Sequence, residues 1–466
     1  MFLKRILRRS TLILILALAF IGGIGFFTVE LVMNADDWAN QPYNAHISGN
    51  GGLEQAGAVF DRNGVALAQT ADNNRNYNEN LSIRKALLHT VGDNSLNIST
   101  AVQSKYRSQL TGYNLIWGLN MPQSLRASHD ITLTVDANAC AAAYDALASY
   151  DKKGACVVYN YKTGEVICSV STPGYDPQNP PDITSENESE YDGVYLDNVV
   201  SSSYIPGSIF KLVTAAAAIE NIPDLYQRTW ECYGSEEIGG SDITCVENHG
   251  TINFQEAMAH SCNIVFAELA VELGAEKMTA AAEKIGINAS FEFDDIKTAK
   301  GHYDVSKADK NQLAWSGVGQ YNDAVNPMQM AIICGAIANG GKSVNPTYIK
   351  SGTGDLMKLI GLNKGESKEL FNASTAQKLG EVMRYTITDY YGDNLFGNLS
   401  VCAKTGTGEV GNDKKPNAWM VGYSQNQDCP LAFACVVEDA GFGFEYAGPV
   451  AQAAMKASAE ALRGKK

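Results

Sequence analysis

Three short motifs contain the residues with which this chain could perform acyl-transfer chemistry. The first is Ser208 with Lys211 three residues later, a spacing that places both side chains on one face of a helix. A neutral lysine at that distance can accept the serine proton and make the hydroxyl a nucleophile. Ser-x-x-Lys also occurs at 82–85 and 149–152, and we expect both copies to be solvated surface. Only Ser208 opens a long Ala-rich helix behind a Pro-Gly pair.

The second and third motifs are Ser261-Cys262-Asn263 and Lys404-Thr405-Gly406-Thr407. Ser-x-Asn also occurs at 48, 95, 185 and 424, but only the copy at 261 lies in an apolar, helix-forming stretch. A polar pair buried there needs hydrogen-bond partners. Lys-Thr-Gly at 162–164 fits a hairpin turn, whereas the copy at 404 belongs to a strand-like run. In that strand the lysine and hydroxyls can bind a carboxylate, and the glycine lets a ligand backbone approach.

The segments around these motifs predict an α+β fold, in which one antiparallel sheet is flanked by helices. Apolar runs on both sides of residues 162–164 predict a hairpin, and Asn63-Gly64 predicts another near the N-terminus. Three strand-like runs lie between residues 399 and 439, and an Ala-rich helix follows over 451–466. Strands at both ends of a domain with helices between them favour a single sheet.

The N-terminal segment resembles a membrane anchor. Four basic residues lie within the first ten, and an uncharged apolar run over 12–29 follows. The basic flank stays cytoplasmic, so we expect residues 1–10 as a cytoplasmic tail and 11–33 as a transmembrane helix. Residues 34–130 then form a small membrane-proximal module, and 131–466 the main domain outside the cytoplasm. A cleaved signal peptide is the alternative, but the run is longer than a typical signal core and lacks an Ala-x-Ala site.

Charge and cysteine usage restrict the partners. The formal net charge of −15 argues against a nucleic-acid partner, because phosphates require surplus Lys and Arg. The ten cysteines include no Cys-x-x-Cys pair, so we expect no metal site. Cys232 and Cys245 share one polar loop and could form a disulfide; Cys156 and Cys168 flank the predicted hairpin and could face each other. Buried free thiols are the alternative for most of the ten.

The three motifs, in this order, form the motif set of penicillin-binding proteins and serine β-lactamases. The segments FDRNGVALA, TGEVICSVSTPGYDP and AWMVGY also resemble class B penicillin-binding proteins, so the resemblance covers most of the chain after residue 55. The chain departs from the family in having Ala56-Gly57 where Arg-Gly is frequent, and its module is short for the class. Ser-Cys-Asn is closer to transpeptidase usage than the Ser-Asp-Asn of class A β-lactamases.

The resemblance implies a bacterial, single-pass membrane enzyme that cross-links peptidoglycan stem peptides as a D,D-transpeptidase. It assigns Ser208 as nucleophile, Lys211 as its base, Ser261 as proton relay and Asn263 as a donor-peptide ligand. The remaining implied site residues hold the carboxylate of the D-Ala-D-Ala donor: Lys404, Thr405, Gly406 and Thr407. β-Lactams would acylate the same serine, an amine of a second stem peptide would accept the acyl group, and no cofactor is required.

The resemblance also suggests a multi-spanning glycan polymerase as a membrane partner. Other functions remain open at this point. Water instead of an amine would make the chain a D,D-carboxypeptidase or a β-lactamase, and a protein without turnover would be a cell-wall scaffold or a β-lactam sensor. Sensors usually carry further membrane segments, and no other uncharged stretch of about 18 apolar residues occurs in the sequence.

Overall fold

A computed structural model describes residues 2–39, 53–54, 56–112, 130–350, 367–411 and 414–464. It begins with helix α1 (Phe2–Ala39), whose segment Arg9–Leu31 is long and apolar enough to cross a membrane. The large apolar side chains of this segment are exposed to the surroundings of the protein. Within the described residues no other helix meets the same criteria of length and composition. The predicted anchor therefore corresponds to a real helix, and the side of the membrane on which each end lies stays a prediction.

A four-stranded sheet with strand order β3-β2-β1-β4 follows. Its strands are β1 (Val59–Phe60), β2 (Ala66–Ala71), β3 (Asn74–Tyr77) and β4 (Ile131–Thr132). β1 and β2 are antiparallel around Asn63-Gly64, which confirms the predicted hairpin. Four short helices accompany the sheet: α2 (Leu81–Ala86), α3 (Leu88–Val91), α4 (Val102–Lys105) and α5 (Arg107–Thr111). Residues 40–52 and 113–129 of the predicted module lie outside the described residues, and the boundary near 130 stays a prediction.

The main domain contains a five-stranded antiparallel sheet with strand order β13-β14-β15-β5-β6. These strands are β5 (Gly154–Asn160), β6 (Val166–Thr172), β13 (Val401–Gly408), β14 (Asn417–Ser424) and β15 (Leu431–Val437). Every residue of β5, β6, β14 and β15 is buried, because helices cover both faces. The α+β class and the hairpin around residues 162–164 are thus confirmed.

Shorter two-stranded ribbons occur along the chain after β6 and before β13. They comprise β7 (Thr229–Cys232), β8 (Ser235–Ile238), β9 (Ser241–Thr244), β10 (Gly250–Asn253), β11 (Glu292–Phe293) and β12 (Ile296–Lys297). β7 pairs with β10, and β8 pairs with β9. Both pairs belong to one segment, residues 229–253, which lies between helical parts of the main domain.

Helices on both sides complete the layers. They are α6 (Ala137–Ala148), α7 (Lys211–Asn221), α8 (Phe254–Ala259), α9 (Asn263–Ile285), α10 (Lys310–Ser316), α11 (Pro327–Ala338), α12 (Ala373–Tyr385) and α13 (Gly443–Arg463). α6 packs against α13, and α13 packs on the sheet. α11 also packs on the sheet, and α7 lies against α9. α13 begins eight residues before the predicted start at 451.

Candidate active site

Ser208 lies in a single 3₁₀ turn, Gly207–Phe210, which leads directly into α7. Gly207 has φ +53°, and a Cβ atom there would lie 2.2 Å from the carbonyl oxygen of Thr407 on β13. Only a glycine accepts both the positive φ and this contact. The glycine therefore lets the serine turn pack directly against the strand that carries the Lys-Thr-Gly motif.

The amine of Lys211 connects the first two motifs. It lies 3.1 Å from the hydroxyl oxygen of Ser208 and 3.1 Å from that of Ser261. It also donates hydrogen bonds to the side-chain oxygen of Asn263, at 2.7 Å, and to the carbonyl oxygen of Ser261. The lysine side chain is fully buried. The amine is therefore held among oxygen atoms and within hydrogen-bond distance of the proposed nucleophile.

The third motif approaches from β13. The amine of Lys404 lies 2.9 Å from the hydroxyl oxygen of Ser261, so that this hydroxyl lies between two lysines. The hydroxyl of Thr405 contacts the phenol of Tyr391. Thr407 is half-buried at the end of the strand. Gly406 passes so close to the serine turn that a Cβ atom would lie 2.6 Å from the carbonyl oxygen of Pro206.

The eight predicted site residues thus belong to one connected group, built from the serine turn, the α8–α9 junction and β13. The alternative motif copies do not join it. Ser82 lies in the first turn of α2, Ser149 caps the end of α6, and the Lys-Thr-Gly copy at 162–164 forms the β5–β6 turn. The Ser-x-Asn copy at 48–50 lies outside the described residues. The roles of the eight residues remain proposals.

Burial perturbs both lysines. Desolvation lowers the pKa of Lys211 to about 7, although the nearby thiols of Cys262 and Cys245 act in the opposite direction. The pKa of Lys404 is lowered well below its usual value, first by burial and then by the charge of Lys211. A large share of the Lys211 amines is therefore neutral near pH 7. This is the form that can accept a proton from a serine hydroxyl.

Several residues of the site were not found from the sequence. Tyr391 stacks on Phe444, with ring centroids 4.6 Å apart, beside the Thr405 hydroxyl that it contacts. The side-chain amide of Gln320 lies 3.4 Å from the carbonyl oxygen of Thr407. No motif or periodicity marks these residues, because their positions depend on how distant segments pack together.

All ten cysteines are free thiols. The Sγ atoms of Cys232 and Cys245 are 3.7 Å apart, which is too far for a disulfide bond of about 2.0 Å. Cys156 lies opposite Val170 rather than opposite Cys168. Both suggested bridges are therefore wrong, and nine of the ten cysteines are buried, as the alternative interpretation expects, since only Cys245 is partly exposed.

The fold and the connected Ser-Lys-Ser-Lys group define a protein of the serine acyltransferase class. Residues 154–456 match the family described as the penicillin-binding protein transpeptidase domain. Because this match spans more than half of the sequence, the chain belongs to the penicillin-binding proteins, and its relatives place it in class B.

Two curated relatives illustrate the similarity. The peptidoglycan D,D-transpeptidase PbpA of Mycolicibacterium smegmatis is 27% identical over 338 residues, which cover 66% of this chain and 67% of the relative. Penicillin-binding protein 3 of Bacillus subtilis is 27% identical over 385 residues, which cover 75% of this chain and 55% of the relative.

Solved structures agree with the fold. The D,D-transpeptidase domain of a peptidoglycan glycosyltransferase from Eggerthella lenta has a TM-score of 0.70 and 25% identity, with 88% of this chain and 99% of that chain covered. The ceftriaxone acyl-enzyme complex of penicillin-binding protein A from M. tuberculosis has a TM-score of 0.74 and 22% identity, with the same coverage. The second comparison supports the fold alone.

Proposed function

We propose that the chain cross-links peptidoglycan as a serine D,D-transpeptidase, with Ser208 as the nucleophile. The observation that carries this proposal is the buried amine of Lys211, 3.1 Å from the Ser208 hydroxyl and with a pKa lowered to about 7. Relatives named as peptidoglycan D,D-transpeptidases support the substrate class. The donor is a stem peptide that ends in D-Ala-D-Ala, and β-lactams acylate the same serine in its place.

Acylation begins when neutral Lys211 takes the proton from Ser208. The serine oxygen forms a bond to the penultimate D-Ala carbonyl carbon, and the bond from that carbon to the terminal D-Ala nitrogen breaks. Ser261 passes a proton from Lys211 to the departing nitrogen, because its hydroxyl lies 3.1 Å from the Lys211 amine. The terminal D-Ala leaves as a neutral amine, and the base is ready for the next step.

Other groups of the site bind the donor and its developing charge. The backbone N–H groups of Ser208 and Thr407 stabilise the oxyanion, and donors of this kind contribute about 3 kcal/mol each. Asn263 hydrogen-bonds the donor amide. The terminal carboxylate is held by Lys404, Thr405 and Thr407, while Gly406 leaves space for the donor backbone. Tyr391, through its contact with Thr405, keeps that hydroxyl in position.

The acceptor in the deacylation step distinguishes a transpeptidase from a D,D-carboxypeptidase or a β-lactamase. An amine from a second stem peptide attacks the ester carbonyl carbon of the acyl-enzyme, and Lys211 takes a proton from that amine. The ester bond to Ser208 then breaks, Lys211 returns the proton to the serine oxygen, which lies 3.1 Å away, and the new amide is released. Water in place of the amine would give D,D-carboxypeptidase or β-lactamase activity. No metal or organic cofactor takes part in either step.

The same proposal includes the location of the enzyme. Basic residues precede the apolar helix Arg9–Leu31, which favours a cytoplasmic N-terminus and a single membrane crossing. The transpeptidase domain then lies outside the cytoplasm of a bacterium, where its substrate is. A multi-spanning glycan polymerase would contact the anchor and the membrane-proximal module, and so supply the strands that are cross-linked.

Incubation of the full chain in detergent with a fluorescent penicillin tests the nucleophile. We expect one adduct per chain, mapped to Ser208 by peptide mass and absent in Ser208→Ala. Ser149→Ala is the matched control, since it removes the serine of another Ser-x-x-Lys sequence and should leave labelling unchanged. A folded protein without an adduct, or an adduct on another residue, would refute the assignment. A short-lived adduct in water alone would favour the β-lactamase alternative.

A further inference from the structure

Three cysteines and one histidine converge directly behind the Ser261 motif. Cys232 ends β7, Cys245 follows β9, His249 precedes β10, and Cys262 is the N-cap residue of α9. One ligand atom from each of the four side chains lies within 4.8 Å of the other three. Because β7 pairs with β10, with Cys232 opposite Gly250, the ribbons bring together residues that are far apart in sequence. No close Cys-x-x-Cys pair is needed to form such a cluster.

Three of the distances between ligand atoms in this cluster are close to those around a tetrahedral metal ion. The Sγ atoms of Cys232 and Cys245 are 3.7 Å apart, and those of Cys245 and Cys262 are also 3.7 Å apart. Zinc–sulfur bonds of about 2.3 Å at tetrahedral angles place two sulfur ligands about 3.8 Å apart. The Nδ1 atom of His249 lies 3.2 Å from Cys232 Sγ, close to the separation of about 3.5 Å that a sulfur and a nitrogen ligand would have.

We propose that Cys232, Cys245, His249 and Cys262 bind one structural Zn²⁺ ion, which fixes the backbone that carries Ser261 and Asn263. Three thiolates and one imidazole are a ligand set that zinc prefers, and four protein ligands leave no open position for water. Binding releases three thiol protons to solvent and requires no oxidant or reductant. This proposal differs from the expectation from the sequence that the chain has no metal site, which rests on ligand spacing along the chain.

The surroundings of the cluster support a structural role. The His249 side chain is only 4% exposed, and its Nε2 atom lies 3.9 Å from the carboxylate of Glu247. When Nδ1 binds the metal, Nε2 carries the ring proton, and the Glu247 carboxylate is the acidic group beside that N–H. Cys245 Sγ accepts a hydrogen bond from the backbone N–H of Asn263, at 3.1 Å.

Cys262 links the proposed metal site to the catalytic group. Cys262 separates Ser261 from Asn263, so a ligand bond to Cys262 acts on the backbone of both neighbours. Ser261 has φ +58°, a left-handed conformation that is unfavourable for a serine and persists only where its surroundings hold it. The ion would therefore position Ser261 and Asn263, two of the three hydrogen-bond partners of Lys211, without contacting the substrate.

Metal content tests the site independently of catalysis. We expect about one zinc per full-length chain purified in detergent from zinc-containing medium, by elemental analysis. Cys245→Ser and His249→Ala should lose most of it, and Cys429→Ser, which alters a buried thiol outside the cluster, should retain it. Replacement by Co²⁺ should give thiolate charge-transfer absorption and intense tetrahedral bands in the wild type, a readout that does not depend on variants folding. Absence of zinc and of the cobalt spectrum, or a disulfide among these cysteines, would overturn the site.

Chelation tests the positioning role, which rests on the proposed function. Removal of the ion should slow acylation by a fluorescent penicillin at least tenfold and increase amide exchange around residues 260–263, and one equivalent of Zn²⁺ should restore both. Zinc that is bound but removable without any change in acylation or exchange would refute this role. A protein that binds zinc and never forms an adduct would instead refute Ser208 as nucleophile, so the two failures are distinguishable.

Discussion

Replacement of Asn263 by aspartate should move the pH dependence of acylation. The side-chain oxygen of Asn263 accepts a hydrogen bond of 2.7 Å from the Lys211 amine, and this amine is fully buried. A carboxylate at that position favours the charged lysine and raises its pKa by about one to three units. From the wild-type value of about 7, a rise of about two units gives a pKa of about 9.

The change in rate follows from the neutral fraction of Lys211. At pH 7 about half of the wild-type amines are neutral, and acylation should rise with pH until it levels off about one unit above the pKa. In Asn263→Asp only about one amine in a hundred is neutral at pH 7. Acylation should therefore be about fifty-fold slower at this pH, and the loss should shrink as the pH approaches about 10.

The assay is the second-order rate constant for labelling by a fluorescent penicillin, measured from about pH 6 to about pH 10 with matched metal content. Asn263→Ala is the control, because it removes the amide without adding a charge. This variant should lose rate by a similar factor at every pH, with its midpoint near that of the wild type. Coincident midpoints for Asp and Ala at position 263 would show that the neutral form of Lys211 does not control the rate.

Three further predictions concern residues at different distances from the nucleophile. Gly207→Ala should slow acylation at least tenfold because its Cβ would collide with Thr407, whereas Gly64→Ala, with φ +85° and open space, should cost about 1–2 kcal/mol of stability and leave acylation unchanged. Tyr391→Phe removes the hydroxyl that contacts the threonine of Lys-Thr-Gly, and should weaken binding of a D-Ala-D-Ala substrate about fivefold, visible as a higher KM. Both carboxylate oxygens of Asp323 are buried without a hydrogen-bond partner among the described residues, and burial raises its pKa. The contribution of Asp323 to wild-type stability in urea should thus fall as the pH rises from about 4 towards that raised value, by up to about 1.4 kcal/mol per unit. Asp323→Asn should make the measured slope shallower by this amount, while the buried Asp197, whose pKa is raised to about 7 by burial, keeps its own contribution.

The fold and the three motifs could be predicted because their signals are local. Alternating or continuous apolar runs mark β5, β6 and β13–β15, and the turn residues at 162–164 mark the hairpin between the first two strands. The start of α13 is harder to predict from the sequence, because Gly448-Pro449 interrupts the helical pattern that is clear from residue 451 onwards. Tyr391 and Gln320 had no local signal at all, since tertiary packing alone brings them to β13.

The cysteines also show that a local sequence pattern does not reveal contacts between distant residues. Spacing along the chain favours a bridge between Cys232 and Cys245, which share one loop, and gives no signal for a metal site, because the sequence has no Cys-x-x-Cys pair. The two strand pairs β7–β10 and β8–β9 instead bring ligands that are 13 and 17 residues apart to within 3.7 Å of each other. Cross-strand register, which a single sequence does not specify for such short polar ribbons, decides which residues meet.

The proposed metal site and the acylation site share one structural element, the α8–α9 junction. Lys211 needs the oxygens of Ser261 and Asn263, yet Ser261 holds a left-handed backbone that its own sequence does not favour. Cys262, between them, is buried and points to the other three ligands. A motif position that contributes no side chain to acyl transfer therefore explains how the neighbouring positions are held. Cys262→Ser should therefore lower zinc content and acylation together, whereas Cys429→Ser should change neither.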